Sequence, residues 1–108
     1  MKILVTGGSG FLGRYVMREL MNRNIEVNAI HRGDNKNLSK QFNKVNFIKK
    51  EISEISQHDF EGIFGVIHLA SAGVSPKKAS IKDLLEVNIK SSADILNFGS
   101  LANVKRFI

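Results

Sequence analysis

The first thirteen residues, MKILVTGGSGFLG, constrain the fold more than any other stretch of this chain. Ile3, Leu4 and Val5 form a short apolar, partly β-branched run, the pattern of a strand buried on both faces. Thr6 closes the run. Gly7, Gly8, Gly10 and Gly13 follow, and the last three satisfy GxGxxG. Beyond Gly10 the period changes. Leu12, Val16 and Leu20 recur every four residues, with Gly13 and Met17 beside them, the spacing of an amphipathic helix. Strand, glycine turn and helix in that order lift the motif above a chance match.

Such a turn has a definite chemical use. Main-chain N–H groups at the start of a helix lack intrahelical acceptors and stand at the positive end of the dipole, so they attract a pyrophosphate. Gly7 and Gly8 let the chain reverse. Gly10 has no side chain to hold a phosphate off the Phe11 and Leu12 amides, and Gly13 lets the helix lie close on the strand. The competing reading is an ordinary strand-to-helix turn that happens to be glycine-rich.

TGGSGFLG resembles the TGxxGxxG signature of the extended short-chain dehydrogenase/reductases, the NAD(P)-dependent epimerase/dehydratase family. The likeness runs through all 108 residues. It implies an α/β fold, a doubly wound parallel sheet of Rossmann type with strand order 3-2-1-4 and the start of strand 5. It further implies that residues 1–108 form one dinucleotide-binding domain, incomplete in that the catalytic and substrate-binding part lies elsewhere.

Composition agrees with a single small soluble domain: 43% hydrophobic and 24% charged residues are ordinary. The chain contains no cysteine, which excludes disulfides, a thiolate nucleophile and thiolate metal sites. The apolar run at the N-terminus breaks at Thr6-Gly7, too short for a signal peptide, and no later stretch could span a membrane. A cytoplasmic protein is the default expectation. The net charge of +6 comes from lysines scattered along the chain. No stacking aromatics alternate with them, which points to a solvated surface rather than nucleic-acid binding.

Taken in order, the pattern predicts a first helix over Phe11–Arg23 with Asn24 as a left-handed terminator. A second strand follows over Glu26–Ile30. It runs into His31-Arg32-Gly33-Asp34, where a dinucleotide site meets the adenosine ribose. An acid there binds the 2′-hydroxyl, whereas an arginine accommodates a 2′-phosphate. Arg32 lies nineteen residues past Gly13. It favours NADP as the preferred cofactor over NAD, the alternative being that Arg32 stacks on adenine while Asp34 or main chain holds the ribose. A helical turn is expected around Leu38–Phe42, and a third strand over Val45–Lys49. Glu51-Ile52 stands where the family usually has an aspartate and an aliphatic residue against the adenine. Glu51 is one methylene longer, and a solvent-facing glutamate is the other reading. Residues 53–61 are polar and too weakly periodic to assign.

Phe64–Ala70 reads as a fully buried fourth strand, with Val66-Ile67-His68-Leu69-Ala70 similar to the family's V-I-H-L-A-A. The resemblance puts Leu69, Ala70 and Ser71 along the cofactor. His68 reads as a packed, hydrogen-bonded core histidine, and the three histidines have no metal-ligand spacing. Ser80 can cap a long helix over 81–103 whose apolar face carries Leu84, Leu85, Ile89, Ala93, Ile95, Leu96 and Leu101. Asn88 falls near that face. It is expected to be a buried amide tying the helix to a neighbouring element, and the family places an asparagine there. Val104-Lys105-Arg106-Phe107-Ile108 resembles the family's V-K-R-F-V, the opening of strand five.

In the family that strand leads to a catalytic Ser or Thr and then to a Tyr-x-x-x-Lys acid/base pair. This chain has neither; its one tyrosine, Tyr15, lies in the first helix, followed by Arg18 and Glu19. No catalytic residue is assigned. The resemblance implies an oxidoreductase, epimerase or dehydratase acting by hydride transfer on a nucleotide-activated sugar. The open edge at Phe107-Ile108 and the apolar residues of the long helix lead to the expectation of a homodimer. The alternative is a non-catalytic NADP-binding regulator or chaperone of the same fold.

Overall fold

A computed structural model describes residues 1–33, 36–70 and 80–108, with Val87 described through its backbone alone. The apolar runs pair as one parallel sheet. Its strands are β1 Lys2–Thr6, β2 Glu26–His31, β3 Val45–Lys49, β4 Gly65–His68 and β5 Arg106–Phe107, in the order β3-β2-β1-β4-β5. This is the doubly wound arrangement expected, with strand five begun.

Alternation along the strands divides the core in two. Ile3, Val5, Val27, Ala29 and Val45 face α1 (Phe11–Asn22) and α2 (Lys36–Gln41), where Met17, Leu38 and Phe42 complete one cluster. Leu4, Ile30 and Val66 point to the other face and meet Ile55, Phe60, Ile63, Ile95 and Val104. A two-faced core of this kind explains why the central strand β1 carries the continuous apolar run Ile3-Leu4-Val5.

The helix boundaries have local causes. α1 ends at Asn22, and Asn24 takes φ 55°, the left-handed terminator expected there. Between β3 and β4 the chain crosses through two 3₁₀ turns, Ile52–Glu54 and Gln57–Phe60, which take in most of the stretch 53–61 that gave no clear period. Three residues per turn leave no amphipathic signature to read. The crossover is pinned by Asp59, which is buried and accepts from Lys50 Nζ at 2.9 and 3.0 Å and from the Ser56 N–H at 2.9 Å.

The fourth strand is shorter and less buried than its sequence suggested. Only Gly65 and Val66 are fully covered; Ile67 and His68 are half-buried, although the His68 N–H still donates to the Ile108 carbonyl at 2.8 Å.

The long helix, α3, spans residues 81–101. Ser80 caps it as expected, its Oγ accepting from the Asp83 N–H at 3.1 Å while the Asp83 carboxylate accepts from the Ser80 N–H. Its middle, Leu84–Lys90, is π-helical between the α-helical segments Ile81–Asp83 and Ser91–Leu101. A π turn shifts every later side chain around the axis, so residues on either side of it do not share a face. The single broad apolar face anticipated therefore does not exist. Of its seven members only Ile95 is in the core, and Leu84, Leu85, Ile89, Leu96 and Leu101 are exposed. Asn88 is exposed inside the π turn, which corrects the expectation of a buried amide.

Candidate functional site

The C-terminal ends of three strands converge. Register places Thr6 beside Ile30 of β2 on one side and His68 of β4 on the other. The glycine turn thus leaves β1 between His31-Arg32 and Leu69-Ala70. β1 is also where strand order reverses, with β2 and β3 to one side and β4 and β5 to the other. In doubly wound sheets the ligand crevice opens at that reversal.

The glycines have distinct tasks there. Gly7 adopts φ +72°, and a Cβ on it would lie 2.6 Å from both the Ala70 nitrogen and the Leu69 carbonyl carbon. A Cβ on Gly13 would overlap the Gly7 carbonyl oxygen and lie 2.6 Å from Gly8 Cα. The close approach that Gly13 permits is therefore onto the glycine turn itself rather than onto the strand. Gly10 is different. Among the described residues a Cβ there would touch nothing but the Gly7 oxygen, at an ordinary 3.4 Å, and the space in front of Gly10 is otherwise open.

That opening faces an uncapped helix. Gly10 is the N-cap of α1, in extended conformation and with no side chain to offer, and the first turn holds no acid. The first intrahelical bond is Arg14 N–H to Gly10 oxygen. The Phe11, Leu12 and Gly13 amides precede it and have no acceptor in the helix. The Phe11 and Leu12 side chains are exposed and leave this end uncovered. Free amides, dipole and space without a Cβ fit a pyrophosphate.

The remaining residues named from sequence take mixed positions. Arg32 is exposed just past β2 and makes no polar contact among the described residues. Leu69 and Ala70 are half-buried against the turn. Glu51 is exposed beyond β3, where its N–H donates to Glu54 Oε1 at 2.9 Å. Ile52 packs partly into the second core cluster. Asn88 lies on α3, its carbonyl accepting from Ser92 Oγ at 2.9 Å. Asp34 and Ser71 lie outside the described residues. Tyr15 stands on the exposed surface of α1, against Phe11 and beneath Arg18.

His68 is the hydrogen-bonded histidine its strand position suggested. Its Nδ1 is 2.6 Å from Thr6 Oγ1 and its Nε2 3.0 Å from Ser92 Oγ. Burial holds its pKa below the ordinary value of 6.5. Sequence reasoning missed the partners. Thr6, a hydroxyl at the end of an apolar strand, was the available signal; nothing in the local pattern marks Ser92. Among the described residues no three His, Asp or Glu side chains gather as a metal site, and no helix is long and apolar enough to cross a membrane.

Comparison with known proteins decides the family. Residues 3–108 match the NAD dependent epimerase/dehydratase family. The chain belongs to that family. Among curated proteins it is similar to the chloroplastic divinyl chlorophyllide a 8-vinyl-reductase of Arabidopsis thaliana, 25% identical over 117 residues, covering 98% of this chain and 28% of that protein. Among solved structures it resembles MoeE5 in complex with UDP-glucose and NAD, with 26% identity, a TM-score of 0.83, and coverage of 99% of this chain and 35% of that one. It also resembles TunA, an NAD dependent NDP-hexosamine 5,6-dehydratase of tunicamycin biosynthesis, at 26% identity and a TM-score of 0.76 over 98% of this chain and 35% of that one. The chain thus spans about a third of the length of these solved relatives. The cofactor class that goes with the family and the fold is NAD(P).

Proposed function

We propose that this chain is the dinucleotide-binding part of an NAD(P)-dependent epimerase, dehydratase or reductase. The observation that carries the reading is the contrast among the glycines. Gly7 and Gly13 are filled by neighbouring backbone, whereas Gly10 opens, among the described residues, onto three helix amides without an acceptor. In this reading the Phe11 and Leu12 amides hold the pyrophosphate. Arg32 meets the adenosine ribose and, as a cation with no competing partner among the described residues, favours a 2′-phosphate and hence NADP. Leu69 and Ala70 form the wall on the β4 side; Ser71, outside the described residues, is assigned to the cofactor by the family resemblance alone. Glu51 and Ile52 lie toward the adenine, and Asn88 belongs to the helix behind the wall.

When bound, the nicotinamide supplies the hydride acceptor and donor. The 108 residues provide no Tyr-x-x-x-Lys pair to move the accompanying proton, so their part is to bind and orient. A nucleotide-activated sugar as substrate is supported by the ligand of MoeE5 and the NDP-hexosamine of TunA. Homodimer formation through the exposed apolar residues of α3 belongs to the same proposal.

Isothermal titration of the folded chain with NADPH and NADH tests the reading. Saturable binding of both, tighter for NADPH, is expected. Absence of binding to a chain with a cooperative unfolding transition would overturn it.

A further inference from the structure

Four hydrogen bonds around His68 form one continuous path. Ser92 Oγ donates to the Asn88 carbonyl at 2.9 Å, His68 Nε2 is 3.0 Å from Ser92 Oγ, His68 Nδ1 is 2.6 Å from Thr6 Oγ1, and the Ala70 N–H donates to Thr6 Oγ1 at 3.2 Å. The chemistry of the two ends fixes the direction of the whole. A carbonyl only accepts, so the one hydroxyl proton of Ser92 is spent on Asn88. Ser92 must then accept from His68, which places a proton on Nε2. A neutral imidazole with Nε2–H has a lone pair on Nδ1, and that lone pair accepts the Thr6 O–H. The Thr6 oxygen keeps its lone pairs for the Ala70 N–H. Every donor in the path has one acceptor.

The other protonation states break it. With the proton on Nδ1, Ser92 would face a second acceptor with no second hydrogen. An imidazolium would point N–H at Thr6 Oγ1, leaving the Thr6 hydroxyl hydrogen without an acceptor among the described residues at a position only 1% exposed. Burial lowers the His68 pKa, in agreement with a neutral ring.

The path ends on the crevice. Thr6 precedes Gly7, and the Leu69-Ala70 backbone lies so close to Gly7 that no Cβ fits between them. The Leu69 N–H already donates to the Thr6 carbonyl at 3.1 Å, and the Thr6 hydroxyl adds a second tie, to Ala70, between glycine turn and β4 wall. His68 orients that hydroxyl, and Ser92 orients His68. We propose that His68 is a positioning residue, locked as the neutral Nε2–H tautomer, which couples α3 to the wall of the dinucleotide crevice. Its effect on dinucleotide affinity rests on the function proposed above; its effect on the wall does not.

Long-range ¹H–¹⁵N correlation spectra of the imidazoles, with His68 assigned by its loss in His68→Phe, read the tautomer directly in the unmodified chain. A protonated Nε2 and an unprotonated Nδ1 at neutral pH are expected; the opposite tautomer or an imidazolium overturns the proposal. Amide exchange at Ala70 reads the wall without any ligand. Thr6→Val should speed it about tenfold or more, the equivalent of one net hydrogen bond, while Thr6→Ser restores it. His68→Phe should speed it in the same direction. Dinucleotide affinity should fall about tenfold in Thr6→Val and His68→Phe and recover in Thr6→Ser. An Ala70 amide indifferent to both substitutions in folded variants overturns the coupling. If the unmodified chain binds no dinucleotide, the function proposed above fails, and the tautomer and exchange data still decide the positioning role.

Discussion

Gly10 and Gly13 belong to one motif, yet their substitution should fail in opposite ways. Valine at Gly10 places its Cβ at an ordinary 3.4 Å from the Gly7 oxygen, with φ −74° and ψ 173°, which a branched residue adopts without strain. Losing the glycine N-cap costs up to about 1 kcal/mol. Restricting the unfolded chain returns about 0.4–1 kcal/mol. Folding should change little. Binding should not survive, because the new methyls occupy the space in front of the Phe11 and Leu12 amides. Two hydrogen bonds to a charged group contribute about 1.5–3 kcal/mol each, so affinity should drop by roughly 10²–10⁴-fold. Valine at Gly13 instead meets rigid backbone at Gly7 and Gly8. Overpacking of that kind costs about 1–3 kcal/mol or more, and the loss should appear in stability. Thermal unfolding beside calorimetric titration with NADPH separates the two. A folded Gly10→Val variant with unchanged affinity would refute the assignment of this turn, and a Gly13→Val variant melting like the parent would refute the packing argument.

Arg32→Ala should remove most of the preference for NADPH over NADH, since one charge-assisted contact contributes roughly 1.5–3 kcal/mol; equal affinities in the unmodified chain at low salt would contradict it. The pH dependence has a defined sign at His68. Its folded pKa is depressed, so its contribution to stability is complete above the ordinary value of 6.5 and is lost as pH falls through the folded pKa. Denaturant titrations from pH 8 to 5 should therefore show a smaller acid-side loss for His68→Phe than for the parent, and parallel curves would sink the assignment. The purified 108-residue chain should show no epimerase, dehydratase or dehydrogenase turnover with UDP-glucose, a missing acid/base being worth about 10²–10⁴-fold; robust turnover would show the chemistry to be misplaced. Exposed Ile81, Ile89, Leu96 and Leu101 on α3 should make the chain associate at micromolar concentration, and sedimentation as a strict monomer would argue against that.

Legibility followed the range of the interaction. β1, the glycine turn and α1 are contiguous, and each announces itself by local period and residue type. The boundaries of β3 and the left-handed Asn24 were readable for the same reason. The crossover after β3 was not, because 3₁₀ turns have no helical stripe. α3 misled in a specific way. Its apolar residues fit a helical period across the whole span, but the π turn at Leu84–Lys90 breaks the phase that such counting assumes. Asn88 was placed wrongly by the same assumption, since it lies inside the turn that resets the register.

The site shows the same division. Gly10 could be read because its role is the absence of a side chain, which residue type alone records. His68 could be read as hydrogen-bonded, but its partners Thr6 and Ser92 could not, because they stand 62 and 24 positions away in the sequence. Only the parallel register that sets Thr6 opposite His68, together with the Ser92 bond to the Asn88 carbonyl one turn back, brings the path together. The π turn that defeated the sequence reading of α3 lies directly before Ser92, and it sets the phase at which Ser92 leaves the helix. If that is its purpose, removing one residue from Leu84–Lys90 to restore an α-helical register should straighten the helix, rotate Ser92 away and release the Ala70 amide, even though no residue of the path has been changed.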